Sequence, residues 1–210
     1  MLKSLVSYNK KSQVCNTHKV ATATERLVTY FELYKLINHL DGSIIKCGIS
    51  ADEAFSYFSF FKESIGKRRQ PMISFEKNPS VFETIELNNE TVTVVKPKRV
   101  SSKQIELIKK GREKNIDYLP GQLADSIPAF LMENPELKIA LLTIDLDDYE
   151  CTLTAMQYLY PRLVAGGVLI INNYHEKNGE SLAIQEYFSD TGTFFRHFSL
   201  EKGPHYLLKE

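Results

Sequence analysis

Five short apolar runs recur along the chain, SIIKCG, PMISF, IDYLPG, KIALLTID and GGVLII, each preceded by a stretch with helical spacing. None of the runs alternates apolar with polar residues, so each reads as a strand buried on both faces. Strands of that kind, interleaved with helices, specify a mostly parallel sheet covered on both sides. The C-terminal TFFRHFSLEKGPHYLLKE breaks the rhythm: it reads as two strands around a Lys-Gly turn, an antiparallel pair that finishes the sheet.

The helical stretches carry start and stop signals. TATERLVTYFELYKLINHL is expected to be capped by Thr24, with Leu27, Phe31, Tyr34 and Ile37, joined by Val28 and Leu36, as its apolar stripe. VSSKQIELIKKGREK reads as a helix capped by Ser101 or Ser102, with Gly111 near its end. At 210 residues, with no repeat and no Pro/Gly/Ser linker, the chain is expected to form one domain over 1–210. Residues 1–21 read as a polar leader and 78–100 as a lid or insertion.

The charge balance narrows the partners. With 26 basic and 26 acidic side chains the net charge is zero, which gives no global attraction to nucleic acid or anionic lipid. No apolar run approaches the roughly 20 residues of a membrane span, and MLKSLVSYNKKSQ lacks the apolar core of a signal peptide. Cys15, Cys47 and Cys151 are odd in number and lack CxxC spacing, against a disulfide framework or a zinc site. The expectation is a cytoplasmic protein with reduced thiols, assembling as a homo-oligomer.

Open α/β sheets bind ligands beyond the carboxyl ends of their strands. That rule selects Gly48 to Glu53, Glu76 to Pro79, Gly121 to Asp125, Asp145 to Glu150 and Asn172 to His175. Gly48 either lets a ligand approach the backbone or makes a tight turn. Glu76 sits where a nucleotide fold places the acid that accepts two ribose hydroxyls; otherwise it is a solvated strand-end acid. Asp145 and Asp147 point the same way on an extended chain, and Asp148 the other. Asp145 with an oxygen of Asn172 or Asn173 has the hard-donor chemistry that Mg²⁺ takes, at reduced charge. His175 is either a general base or a surface loop histidine. The basic stretch Lys96 to Lys114 is either a diphosphate patch or a solvated helix face.

Two segments carry a resemblance. IDLDDYECTLTAMQYLYPRLVAGGVLIINNYH contains Asp145, Asp147, Tyr149, Glu150 and Thr152, then Tyr160, Pro161 and Leu163, then Gly166, Gly167 and Tyr174. That series resembles the Asp-x-Asp-x-Tyr-Glu-x-Thr, Tyr-Pro-x-Leu, Gly-Gly and Asp-Asp-Tyr pattern of the macrocin-type deoxysugar O-methyltransferases. TERLVTYFELYKLINHLDGSIIKCGI resembles the family's leading helix and first strand, and LPGQLADSIP its Gly-x-x-x-Asp-Thr-Leu-Pro segment. The resemblance covers roughly Thr22 to Phe188.

It implies a Rossmann-like class I methyltransferase fold, a seven-stranded mostly parallel sheet with an extra N-terminal helix. It also implies methyl transfer from S-adenosylmethionine to a hydroxyl of a sugar, sugar nucleotide or glycan precursor, with Mg²⁺ as an added cofactor. Lys46, Gly48, Ser50, Glu76, Gly121, Asp125 and Asp145 would then hold the donor. Asp145, Asn172 and Asn173 would hold the metal, Asp147, Tyr149 and Tyr174 the acceptor, and His175 with Asp145 would carry catalysis. Asp125 has the alternative of capping the next helix. This chain departs from the pattern in three places. Lys46 stands for the acid of the first strand, with Asp52 and Glu53 where glycines are expected. Asn172 and Asn173 replace the aspartate pair, and the tail has no tryptophan. Two other readings stay open: a non-catalytic binding or assembly partner, and a methyltransferase for a small aromatic hydroxyl.

Overall fold

The computed structural model describes residues 10–48, 53–66, 70–77, 80–87, 90–97, 116–172, 174, 178–198 and 204–210. Its main sheet uses β1 (Ser43–Gly48), β2 (Met72–Lys77), β5 (Ile116–Gly121), β6 (Ile139–Asp145), β7 (Leu163–Ile171), β8 (Arg196–His197) and β9 (His205–Leu208). The seven strands lie in the order β5-β2-β1-β6-β7-β9-β8. The first five are parallel, β9 runs antiparallel to β7, and β8 antiparallel to β9. Strand order reverses between β1 and β6, so the ligand crevice of such a sheet falls at their carboxyl ends.

Side chains of opposite pleat build two cores. Ile45, Cys47, Phe75, Leu142, Ile144 and Leu169 face α3 (Leu123–Glu133), α4 (Tyr149–Leu159) and α5 (Gly179–Tyr187). Ile44, Met72, Leu141, Val168 and Ile170 face α1 (Lys10–Ile37) and α2 (Glu53–Ile65). Burial on both sides is what the unbroken apolar runs demanded.

Helix α1 differs from its expected form in two ways. It begins at Lys10, so Thr24 lies inside the helix, and residues 10–21 of the polar leader are helical. No proline or glycine interrupts KKSQVCNTHKVATATERL, so a started helix has no reason to stop there. Its buried face is Tyr30, Leu33, Tyr34 and Ile37, whereas Leu27, Val28 and Leu36 are exposed. Both sets have helical spacing; contact with the α2 aromatics decides between them, since Tyr30 meets Phe58 edge-on at 5.6 Å.

Residues 78–100, expected as a lid or insertion, include a hairpin of β3 (Ser80–Leu87) and β4 (Glu90–Pro97) that forms its own two-stranded sheet. The helix expected over VSSKQIELIKKGREK lies outside the described residues.

Candidate functional site

Register across the sheet assembles the site. Gly48 at the end of β1 pairs with Glu76 on β2 and with Asp145 on β6. The Asn172 amide donates to the Ile144 carbonyl at 3.1 Å, which carries the row onto β7. Glu76, Gly48, Asp145 and Asn172 therefore line the carboxyl edge, spanning the reversal point. Gly121 ends β5, paired with Lys77.

One pleat deeper on the same face lies a second row, Ser74, Lys46 and Thr143, each at 1% exposure. Polar side chains in the middle of apolar strands are costly unless something answers them. The Ser74 hydroxyl donates to Glu76 Oε1 at 2.6 Å, fixing that carboxylate at the mouth. Thr143 Oγ1 is buried and finds no hydrogen-bond partner among the described residues. Lys46 is the largest of the three. A Cβ placed on Gly48 would stand 2.8 Å from Lys46 Cε and 3.2 Å from the Asp145 carbonyl oxygen. A side chain at position 48 would therefore crowd the end of the lysine and the Asp145 carbonyl. Burial raises the Cys47 thiol far above its ordinary pKa, and the neighbouring Lys46 charge opposes that rise.

The β6–α4 loop is held from behind. Strand β6 ends at Asp145, and Asp147 takes a left-handed φ of 57°, so the extended geometry that would align Asp145 with Asp147 is absent. Glu180, wholly buried in the first turn of α5, accepts from the amides of Leu146 at 2.8 Å and Asp147 at 3.4 Å. Asp148 caps α4 by accepting from Cys151 N at 2.8 Å, and also pairs with Lys77 from β2. That pair bridges over the end of β1. Gly179 permits the close approach: its Cβ would lie 2.6 Å from the Tyr149 amide. The Tyr149 hydroxyl donates to Glu186 Oε2 at 2.5 Å, and this bond is the main cause of its raised pKa.

The remaining candidates are more scattered. Asp125 is exposed within the first turn of α3, whose N-cap is Gln122; the capping alternative for Asp125 is therefore corrected. Its charge there complements the helix dipole. Tyr174 packs against Phe195 and His205, with ring centroids 5.2 and 4.9 Å away. Ser50, Asn173 and His175, like Asp52, lie outside the described residues. Sequence reasoning missed Ser74, Lys77, Thr143 and Glu180. Ser74 had a signal, since it shares a face with Glu76 two residues on; the contact of Glu180 across 34 residues had none.

A family model described as macrocin O-methyltransferase (TylF) matches residues 73–193, more than half of the chain. The chain belongs to the macrocin O-methyltransferase family. Over 94 residues it is 33% identical to 8-demethyl-8-(2,3-dimethoxy-α-L-rhamnosyl)-tetracenomycin-C 4′-O-methyltransferase of Streptomyces olivaceus, covering 39% of this chain and 34% of that protein. Over 59 residues it is 36% identical to mycinamicin III 3″-O-methyltransferase of Micromonospora griseorubida, covering 28% of this chain and 22% of that one. The matches thus span about a third or less of these curated relatives' lengths. Among solved structures, apo CalS11, a TDP-rhamnose 3′-O-methyltransferase, superposes with a TM-score of 0.70 at 17% identity, covering 97% of this chain and 87% of that one. The O-methyltransferase NovP gives 0.65 at 18% identity, covering 88% and 79%. These likenesses establish the class I Rossmann-like methyltransferase fold. The matched span 73–193 includes Glu76, Asp145 and Asn172 but excludes Lys46 and Gly48.

The divalent metal that the family resemblance implies can be tested against these residues. No group of three His, Cys, Asp or Glu side chains gathers for a metal among the described residues. Asp145 and Asn172 offer one carboxylate and one amide, beside the buried Lys46. At an effective dielectric of about 20, a doubly charged ion held roughly 5 Å from an ammonium is opposed by about 6–7 kcal/mol. The described donor set does not fit a divalent cation.

Proposed function

We propose that this protein transfers a methyl group from S-adenosylmethionine to a hydroxyl of a sugar or sugar nucleotide. The observation that carries the reading is the row Glu76, Gly48, Asp145 and Asn172 along one carboxyl edge, in a chain of this family. Glu76, hydrogen-bonded by Ser74 at the strand end, would accept both ribose hydroxyls of the donor. Gly48 keeps side-chain bulk away from the strand end where the donor's amino-acid part would approach. The donor, when bound, supplies an electrophilic methyl group.

Asp145 and Asn172 orient the acceptor by taking and giving hydrogen bonds to adjacent hydroxyls. The attacking hydroxyl's proton passes to a base, for which His175 is the candidate by its place in the sequence directly after Asn-Asn-Tyr. Alignment supplies most of the acceleration in such a reaction, so the scheme needs no metal-bound step. The hairpin of β3 and β4, which follows β2 in the chain, is the candidate lid.

Lys46, buried at the donor end, favours the second reading, a non-catalytic member that binds without transferring. Calorimetry with S-adenosylmethionine and S-adenosylhomocysteine separates the two. Binding of both, weakened about tenfold or more by Glu76→Gln, together with methylation of a TDP-sugar, supports the enzyme. Absence of binding by either ligand removes the proposed activity.

A further inference from the structure

A lysine with 1% exposure sits in the strand that faces the candidate site from below. Its Cε lies 2.8 Å, and the Asp145 Cβ 3.5 Å, from the one point where a Gly48 Cβ would stand. Its sheet neighbours are Ser74, which donates to Glu76, and Thr143. The end of the lysine stem therefore reaches the level of Gly48, whose register partners on the two adjacent strands are Glu76 and Asp145. A lysine is withdrawn from water in this way only where opposite charge answers it. On its right, β7 contributes a neutral amide, Asn172, so little negative charge remains there for a second cation.

We infer that Lys46 is the resident counter-ion of the site, a covalently held cation that occupies the electrostatic place of a divalent metal. The lysine and the asparagine act as a matched pair. Each makes the other tolerable, because a lysine beside three acids and a metal, or an asparagine beside no cation at all, would leave the charge unbalanced. The site accordingly selects its ligands in the absence of a metal, and removal of Lys46 opens it to one. The inference deepens the proposed function but is tested separately from it.

Mn²⁺ alone is the first probe, followed on the purified full chain by loss of the free-ion paramagnetic resonance signal. The wild type is expected to bind Mn²⁺ no tighter than about millimolar, since the ammonium repels it. Lys46→Met keeps most of the stem and removes the charge; it should bind Mn²⁺ about tenfold or more tightly than wild type. Adding Asp145→Asn should abolish that gain. S-adenosylhomocysteine is the second probe, and its affinity for the wild type should be unchanged by EDTA. Tight Mn²⁺ binding by the wild type that Asp145→Asn removes would overturn the inference. So would a folded Lys46→Met that gains nothing. If Lys46→Met does not fold, Lys46→Gln takes its place and the wild-type titration still decides. Failure of S-adenosylhomocysteine to bind would sink the proposed function, while the Mn²⁺ titrations would still settle the role of the lysine.

Discussion

The two halves of the candidate site are built differently. On the β6–α4–α5 side, backbone and side chains are tied together. Glu180 holds the Leu146 and Asp147 amides, Asp148 caps α4, Asn178 caps α5 through Ser181 N at 2.7 Å, and Tyr149 reaches Glu186. On the β1 side, a buried lysine lies against a glycine, and across the seam on β6 the buried Thr143 hydroxyl finds no partner among the described residues. The family match covers the first side and leaves out β1. The β6–α4–α5 side is thus held by a hydrogen-bonded frame. On the β1 side a buried cation, not a hydrogen-bonded frame, sets what the strand end can accommodate.

The sharpest way to break this contrast is to remove the frame's central acceptor. Glu180→Ala should destabilise the fold by about 3 kcal/mol, because two amides and a cavity are left behind in a buried corner. Chemical denaturation measures it, and a loss under about 1 kcal/mol would mean that the loop is held by something else. Glu180 is a positioning residue: it holds the amides of the loop that follows Asp145. Glu180→Gln retains one acceptor oxygen and should recover part of the stability.

The seam between β6 and β1 predicts the opposite sign. Thr143→Val replaces a buried hydroxyl that has no partner among the described residues with a methyl group of similar size. Stability should stay level or rise by up to about 1 kcal/mol, since no hydrogen bond is lost and desolvation is relieved. If the hydroxyl serves a bound ligand, S-adenosylhomocysteine affinity falls while stability does not. A clear destabilisation would show that the hydroxyl is satisfied within the protein and would erase the contrast.

The difference between the sides also explains what could be read from residues alone. Five apolar runs and a C-terminal Lys-Gly turn were enough for a mostly parallel sheet with an antiparallel finish, because burial on both faces leaves a local trace in each strand. The carboxyl-end rule then picked out Gly48, Glu76, Asp145 and Asn172 without knowledge of their register. The face of α1 was not legible: Tyr30 and Leu33 share the helical spacing of the exposed Leu27 and Val28, and only the packing of α2 distinguishes them. The pairing of β3 with β4 was not legible either, because that hairpin stands apart from the main sheet in a sheet of its own. Glu180 left no trace, because a long-range side-chain contact to a backbone amide has no sequence period.

The smallest expected effect lies at the outer edge of the frame, in the bond from Tyr149 to Glu186. The phenol donates to a carboxylate, so its ionisation would place two negative charges together and its pKa is raised. A group whose folded pKa lies above its unfolded value stabilises the fold fully below the unfolded value, near pH 10 for tyrosine. That contribution is lost as pH rises through the folded value. Tyr149→Phe should therefore leave the neutral-pH melting temperature nearly unchanged and make the decline above pH 10 slightly shallower. The decline will not vanish, because burial also raises the phenols of Tyr34, Tyr160 and Tyr187. Thermal melts of wild type and Tyr149→Phe between about pH 7 and 11 give the comparison. Parallel curves over that range would show that the contact contributes nothing to the frame, confining the rigid side of the site to Glu180, Asp148 and Asn178.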